Sequence, residues 1–213
     1  MTINMIDYWP NPATGEQLLV QDATKAYGPE TLSVLHRYKK GGTVNGLQCI
    51  QLDDYTSNGW VDAWEYRFDA TAGMLEVGDK TSNSHLVYFS GKEIKWGNVQ
   101  NVGDSISGSI QVDVSKSSGV SAGAWNYGSW ALNVEAVLPT FTNDGGLVFA
   151  NVVQIWSLQS WCKDNACVYP SGQNITQSRY WLAPGVGIIQ TDYLAPSARR
   201  DYAKSVTRTC ATA

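Results

Sequence analysis

Ser178-Arg-Tyr-Trp-Leu-Ala-Pro-Gly-Val-Gly-Ile-Ile-Gln-Thr-Asp-Tyr193 sets two short runs on either side of Pro184-Gly185. Residues 180–183 and 186–193 are rich in aromatic and β-branched side chains, which fit a pleated, half-buried surface. Proline at the second turn position presets φ, and glycine at the third accepts the positive φ that a type II turn requires. The stretch therefore predicts an antiparallel strand pair. Just upstream, residues 147–161 are apolar on both faces, with Phe149, Val153 and Ile155 on one side and Val148, Val152, Trp156 and Leu158 on the other. Such a strand belongs in the middle of a sheet that is covered on both sides.

Further out, residues 104–115 alternate cleanly, with Ile106, Ile110, Val112 and Val114 opposite Ser105, Ser107, Ser109, Gln111 and Asp113. Trp130, Leu132, Val134, Ala136 and Leu138 alternate with Asn133 and Glu135, so the two segments read as half-buried strands. A Gly/Ser-rich stretch, 119–128, joins them as a long-looped hairpin and carries Trp125 and Tyr127. Residues 60–69 place Trp60, Trp64, Tyr66 and Phe68 on one face, and 74–77 returns after a turn at 70–73. Gly41-Gly42, Asn45-Gly46, Asn58-Gly59, Gly78-Asp79, Ser90-Gly91 and Gly145-Gly146 punctuate the chain at the spacing of an antiparallel meander. Residues 29–40 read as strand because Thr31, Val34 and Tyr38 prefer it. One short helix is expected between Pro196 and Lys204, where Ala, Arg and Lys are plentiful. The expected architecture is all-β: a single domain over 1–195 with long Gly/Ser/Trp-rich loops, then a C-terminal tail over 196–213.

The run from Tyr180 to Ile189 resembles a C-terminal signature, YW-A-PGVG followed by two aliphatics, of poorly characterised, β-rich bacterial proteins that are exported or lipid-anchored. Asp7-Tyr-Trp-Pro10 resembles that group's opening motif. Trp64-Glu-Tyr-Arg-Phe68 followed by Gly73-Met-Leu-Glu-Val-Gly78 resembles its central aromatic hairpin, and Phe149-Ala-Asn-Val-Val-Gln-Ile155 the strand before the PGVG pair. Together the motifs bracket residues 7–193. The departures are the insertion between Cys162 and Cys167, the expanded loop around 125–130 and the tail after Tyr193. The resemblance implies a strongly curved antiparallel sheet, half-barrel or sandwich-like, of the sort periplasmic lipoprotein carriers use to shelter an apolar ligand. It implies an extracytoplasmic home (periplasm, cell surface or secreted) and an export signal or lipidated cysteine upstream, which is not visible in this numbering. It brings no catalytic residues.

Composition narrows the partners. The 213 residues suit one generous β domain. Charged residues make up 16%, and the net charge of −4 includes no basic run longer than Lys39-Lys40 and Arg199-Arg200, so a nucleic acid partner is not expected. No apolar run approaches the roughly 18 to 20 residues of a membrane-spanning helix. The four cysteines allow three full pairings. Cys162 and Cys167 enclose a short polar loop and form the favoured local disulfide, leaving Cys49 with Cys210. Oxidised cysteines favour a periplasmic or extracellular setting.

Catalytic sets are hard to assemble. The only histidines are His36, in an aliphatic alternation, and His85, in a polar turn, and no GxSxG, HExxH or phosphate-cradling glycine loop occurs. Glu65, Glu76, Glu93 and Glu135 lie near predicted strands, where a glycosidase pair would need two of them together; solvated strand carboxylates is the stronger reading. Residues 54–65 match a calcium loop at Asp54, Asn58, Asp62 and Glu65. Their flanks read as strands and Asn58-Gly59 as a hairpin turn, so no metal and no cofactor is assigned. Trp125, Tyr127 and Trp130, with Trp161 beside the cysteine loop, are the candidate platform for a glycan or protein partner. The Asn174-Ile-Thr176 sequon matters only in a glycosylating host.

The expected function is a non-enzymatic extracytoplasmic β-domain that binds a ligand or protein partner through aromatic loops or a sheet concavity. One alternative is a structural subunit of a surface or virion assembly, self-associating through its loops and tail. The other is a carbohydrate-active protein.

Overall fold

The computed structural model describes residues 2–10, 16–24, 32–44, 47–56, 59–81, 84–116, 127–162, 174–195 and 199–209. Within them the alternating segments become strands: β1 (Thr2–Asn4), β2 (Glu16–Thr24), β3 (Leu32–Val44), β4 (Leu47–Thr56), β5 (Gly59–Asp69), β6 (Gly73–Thr81), β7 (Ser84–Tyr88) and β8 (Ile94–Gly97). They continue with β9 (Val99–Asn101), β10 (Ser105–Lys116), β11 (Tyr127–Thr142), β12 (Val148–Cys162), β13 (Asn174–Ala183), β14 (Gly187–Ala195) and β15 (Arg199–Thr209). The one helical element among the described residues is a 3-10 turn at Met5–Tyr8. No helix among the described residues is long and apolar enough to cross a membrane.

The PGVG pair forms as the sequence predicts. Val186 N–H donates to the Ala183 carbonyl at 3.0 Å, and Gly185 adopts φ 65°. Those are the hydrogen bond and the positive third-position φ of a type II turn. β13 and β14 leave it with Ala183 opposite Gly187 and Leu182 opposite Ile188.

Each β-ladder is antiparallel. The neighbour order is β5-β4-β3-β2-β15-β14-β13-β12-β11-β10-β7-β6-β8, and β5 also pairs with β6. β5, at one end of this order, also pairs over residues 62–69 with β6, the strand next to the other end, so most of its length is laddered on both sides. One cluster of buried side chains draws on β3 to β8 and on β10 to β14, including Tyr38, Leu52, Tyr66, Tyr88, Trp96, Ile110, Trp130, Val153 and Leu182. Strands spread across the whole order can share one cluster only if the sheet curls around it, which fulfils the expectation of a strongly curved sheet. β1 pairs with β9 and leads Met5, Tyr8 and Trp9 into the same interior.

Four expectations change. The segment predicted as helix and tail supplies β15, laddered between β14 and β2, because pairing with two waiting edges outweighs a modest local helix preference. Trp60 does not share a face with Trp64 and Tyr66. A register shift leaves Val61 unpaired between Asp54–Asp62 and Tyr55–Trp60, turning Trp60 outward, where its indole N–H reaches Asp53 Oδ1 at 3.4 Å. β12 is central, between β11 and β13, yet Val148 is 66% exposed, so its outward side is only partly covered. Cys49 is a buried thiol, not a disulfide, among Val44, Leu75 and Val77, which removes the Cys49–Cys210 pairing. Cys162 is disulfide-bonded; Cys167 and Cys210 lie outside the described residues.

Gly187 adopts φ 87°, and a Cβ there would stand 2.5 Å from the Tyr38 hydroxyl. Gly187→Ala is expected to cost about 3 kcal/mol, combining backbone strain with the clash. Gly146→Ala, at φ 81° with open space around it, costs only about 1 kcal/mol. Urea unfolding of the two variants checks this, and equal costs would show that the Tyr38 contact carries no constraint.

Candidate functional site

Cross-strand pairing aligns Ser105, Asn133, Trp156, Arg179, Asp192 and Arg200, each the direct partner of the next. Their neighbours Leu132, Val134 and Ile155 point into the core, so alternation turns the row outward. Around Trp156 the row hollows into a groove of about 570 Å³, whose lining includes Ser105, Ser107, Ala131, Asn133, Glu135, Trp156 and Arg179.

A β-bulge builds one wall of this groove. Val134 pairs with Ile155 and Ala136 with Gln154, which leaves Glu135 as an extra residue in β11. Bulges re-aim a side chain, and this one sends Glu135 across β12 to Arg179. Arg179 Nε and Nη2 donate to the two carboxylate oxygens at 2.5 and 2.9 Å, and the Gln154 amide donates to Oε2 at 2.6 Å. The bidentate guanidinium holds the Glu135 carboxyl below the usual range and raises Arg179. Asn133 donates to the Ser105 hydroxyl at 2.7 Å on the opposite side. Beyond Arg179, Arg200 is clamped between Asp192 and Asp144.

Two further polar groups occupy the β3–β7 side. Facing outward, Asp53 and Glu65 are fully covered. Asp53 takes Lys39 Nζ and the Gln51 amide, each at 2.5 Å, while Glu65 takes His85 Nε2 at 2.7 Å and the Lys80 ammonium. Facing inward, the Tyr88 hydroxyl donates to Glu76 at 2.9 Å, Asp54 and Asp62 lie near His36, and Asp79 adjoins Asp62. His36 Nε2 lies 3.4 Å from Asp54 Oδ1. Burial, with Asp54 close by, pushes Asp62 up to about 6; burial, with Asp62 and Glu65, pushes Asp79 up to about 7; burial pushes Glu76 up to about 7.

The residues singled out by sequence divide sharply. Trp130 does not sit on an exposed loop: it belongs to β11, is 4% exposed and packs over Gly108 in the core. Tyr127 is half-buried at the first position of β11, and Trp161 is half-buried with its ring 6.3 Å from Tyr88. Trp125 lies outside the described residues. The four glutamates are not solvated, since Glu65, Glu76 and Glu93 are buried and Glu135 is half-buried; Glu65, Glu76 and Glu135 have separate partners. Of the calcium set, Asp54 and Asp62 do face each other across the β4–β5 hairpin. Glu65 points to the opposite face, Asn58 lies outside the described residues, and no described group of His, Cys, Asp or Glu is placed to hold a metal ion. The groove itself is not legible in the sequence, where Trp156 and Asn133 read only as residues on strand faces, without their cross-strand neighbours.

No protein-family model matches the chain, and no curated protein matches it. Solved structures do. A crystal structure from Bacteroides fragilis, of a protein provisionally described as exported and having a YmcC-like fold, superposes with a TM-score of 0.52 at 10% identity, over 94% of this chain and 98% of that one. The chain has a YmcC-like fold. A second structure, of a protein from Parabacteroides distasonis provisionally described as a lipoprotein, gives 0.49 at 10% identity over the same shares. The first match supports the coarse part of the family resemblance, a β-rich fold found among bacterial proteins described as exported.

Within this YmcC-like sheet the inward carboxylates set a pH dependence. Unfolded, Asp79 loses its proton near pH 4; folded, burial retains it to about pH 7. Its contribution is therefore full below pH 4 and is lost as pH rises from 4 to 7. Asp79→Asn is expected to match the native chain near pH 4 and to exceed it by about 2 kcal/mol at pH 8. Urea unfolding at both pH values measures the difference, and a pH-independent difference would contradict it.

Proposed function

We propose that this protein is a non-enzymatic binding domain that works outside the cytoplasm and holds its ligand in the outward groove around Trp156. The observation that carries the reading is the groove: an aromatic ring set between an Arg–Glu pair on one side and amide and hydroxyl groups on the other. Such sites combine an apolar surface with a few fixed polar groups that orient the ligand. The fold neighbour provisionally described as exported supports the location, as does a disulfide at Cys162, since such bonds persist in oxidising compartments.

The concave face is the weaker site. Trp9, Tyr38, Tyr66, Trp96 and Trp130 pack there as core and occupy the space that an apolar cargo would need. The assembly reading draws on Trp-rich loops and the C-terminal tail, and residues 199–209 of that tail form β15, paired with β14 and β2. The non-enzymatic reading draws on the separate partners of Glu65, Glu76 and Glu135.

A photo-crosslinking residue at Ser107, inside the groove, tests the proposal in the native host. The same residue at Phe68, 40% exposed on β5, is the control. An envelope-located protein that forms an adduct from position 107 and none from position 68 is the expected result. Absence of the 107 adduct, or a cytoplasmic location, would overturn it.

A further inference from the structure

We infer that the groove takes a neutral glycan, a pyranose stacked on Trp156 whose adjacent hydroxyls are read by Glu135, Arg179 and Asn133. The inference rests on the reading that the groove is the binding face, and it adds the ligand's chemical class.

The charges argue against an acidic ligand. Arg179 is the cross-strand partner of Trp156, and both of its described bonds go to the two oxygens of Glu135. A ligand carboxylate would bring a second negative charge beside Glu135 and compete with it for the Arg179 guanidinium, whereas a neutral hydroxyl can use the remaining N–H groups without that cost. The rest of the row offers no surplus positive charge. Arg200 is matched by Asp192 and Asp144, so three carboxylates face two guanidiniums, a formal net charge of −1.

The same arrangement suits hydroxyls. Each sugar hydroxyl both donates and accepts, so two neighbouring hydroxyls can donate to a carboxylate while accepting from amide or guanidinium N–H groups. Glu135 supplies acceptor oxygens, and Arg179, Gln154 and Asn133 supply donors, all fixed to adjacent strands. Trp156 supplies the flat apolar surface that the C–H face of a pyranose covers. A peptide has no unpaired edge to extend beside Trp156, because β11, β12 and β13 are laddered on both sides there and β10 is laddered to β11.

The test uses the whole chain with defined probes: cello-, malto-, manno- and galacto-oligosaccharides as neutral series and oligogalacturonate as the acidic one. Isothermal titration and saturation-transfer NMR are the readouts. The expected result is binding to at least one neutral series and about tenfold weaker binding to oligogalacturonate. Trp156→Ala should weaken the neutral ligand about tenfold, with Trp156→Phe recovering part of the loss. Glu135→Gln frees Arg179, so it should weaken the neutral ligand and strengthen oligogalacturonate. Urea unfolding of each variant confirms that it is folded.

Preference of the native chain for oligogalacturonate, neutral binding that ignores Trp156→Ala, or no binding across the panel would each overturn the inference. A protein adduct at position 107 would overturn the glycan assignment and leave the groove as the binding face. A missing adduct would remove both.

Discussion

The hydrogen bond from the Gly185 amide to the Asp7 carbonyl, at 2.7 Å, ties the PGVG turn to the N-terminal segment, and the interior depends on that junction. It seats Trp9 among Tyr66, Trp96 and Tyr38, with ring centroids 4.6, 5.5 and 6.5 Å away, and Trp96 in turn meets Tyr180 at 5.3 Å. Large rings bury the most apolar area per residue, so this cluster fills the space that a curled sheet must enclose. The two sequence motifs that lie farthest apart, Asp7-Tyr-Trp-Pro10 and the PGVG turn, are thus two halves of one packing unit. A filled interior leaves the outer face of the sheet to meet other molecules.

Alternation then sorts the charges. Carboxylates that point inward have few cationic partners, and burial raises Asp62, Asp79 and Glu76 toward their neutral forms. Carboxylates that point outward are matched: Asp53 by Lys39, Glu65 by Lys80 and His85, Asp192 and Asp144 by Arg200. A covered ion pair of the Glu65 kind adds little net stability, yet removing one member strands the other. The Glu135–Arg179 pair differs in that it borders a groove, where its donors and acceptors can be shared with a ligand.

Strand existence was legible where a strand buries one face: Ile110 and Val112 in β10, Leu132 and Val134 in β11. The type II turn was legible because proline and glycine act locally through φ. β15 was not, since its pairing partners lie far away in sequence and its own residues carry no strand pattern strong enough to overcome the helix-favouring Ala, Arg and Lys. Trp60 was misplaced because an unpaired Val61 reverses the alternation, and such a residue leaves no mark in composition. Trp130 was misread for a related reason: Gly128 and Ser129 before it belong to the strand, although glycine and serine read as loop. The groove lay beyond sequence reading altogether, because a row made of Asn133, Trp156 and Arg179 exists only once three registers are set.

The bulge at Glu135 shows how the sheet converts register into a site. Adjacent strands stand about 4.8 Å apart, so β11 and β13 are about 10 Å apart across β12, too far for direct neighbours on a regular ladder. An extra residue bends β11 and increases its local twist, which brings Glu135 over β12, while Arg179 supplies a long, planar fork from the other side. Gln154, on the strand between, donates to the same carboxylate and fixes its rotamer. Three strands are thereby cross-linked at one point beside Trp156, and the side chains there are ordered before any ligand arrives. Pre-ordering of this kind lowers the entropy cost of binding, so a shallow groove on a sheet face can hold a polar ligand without a deep cavity.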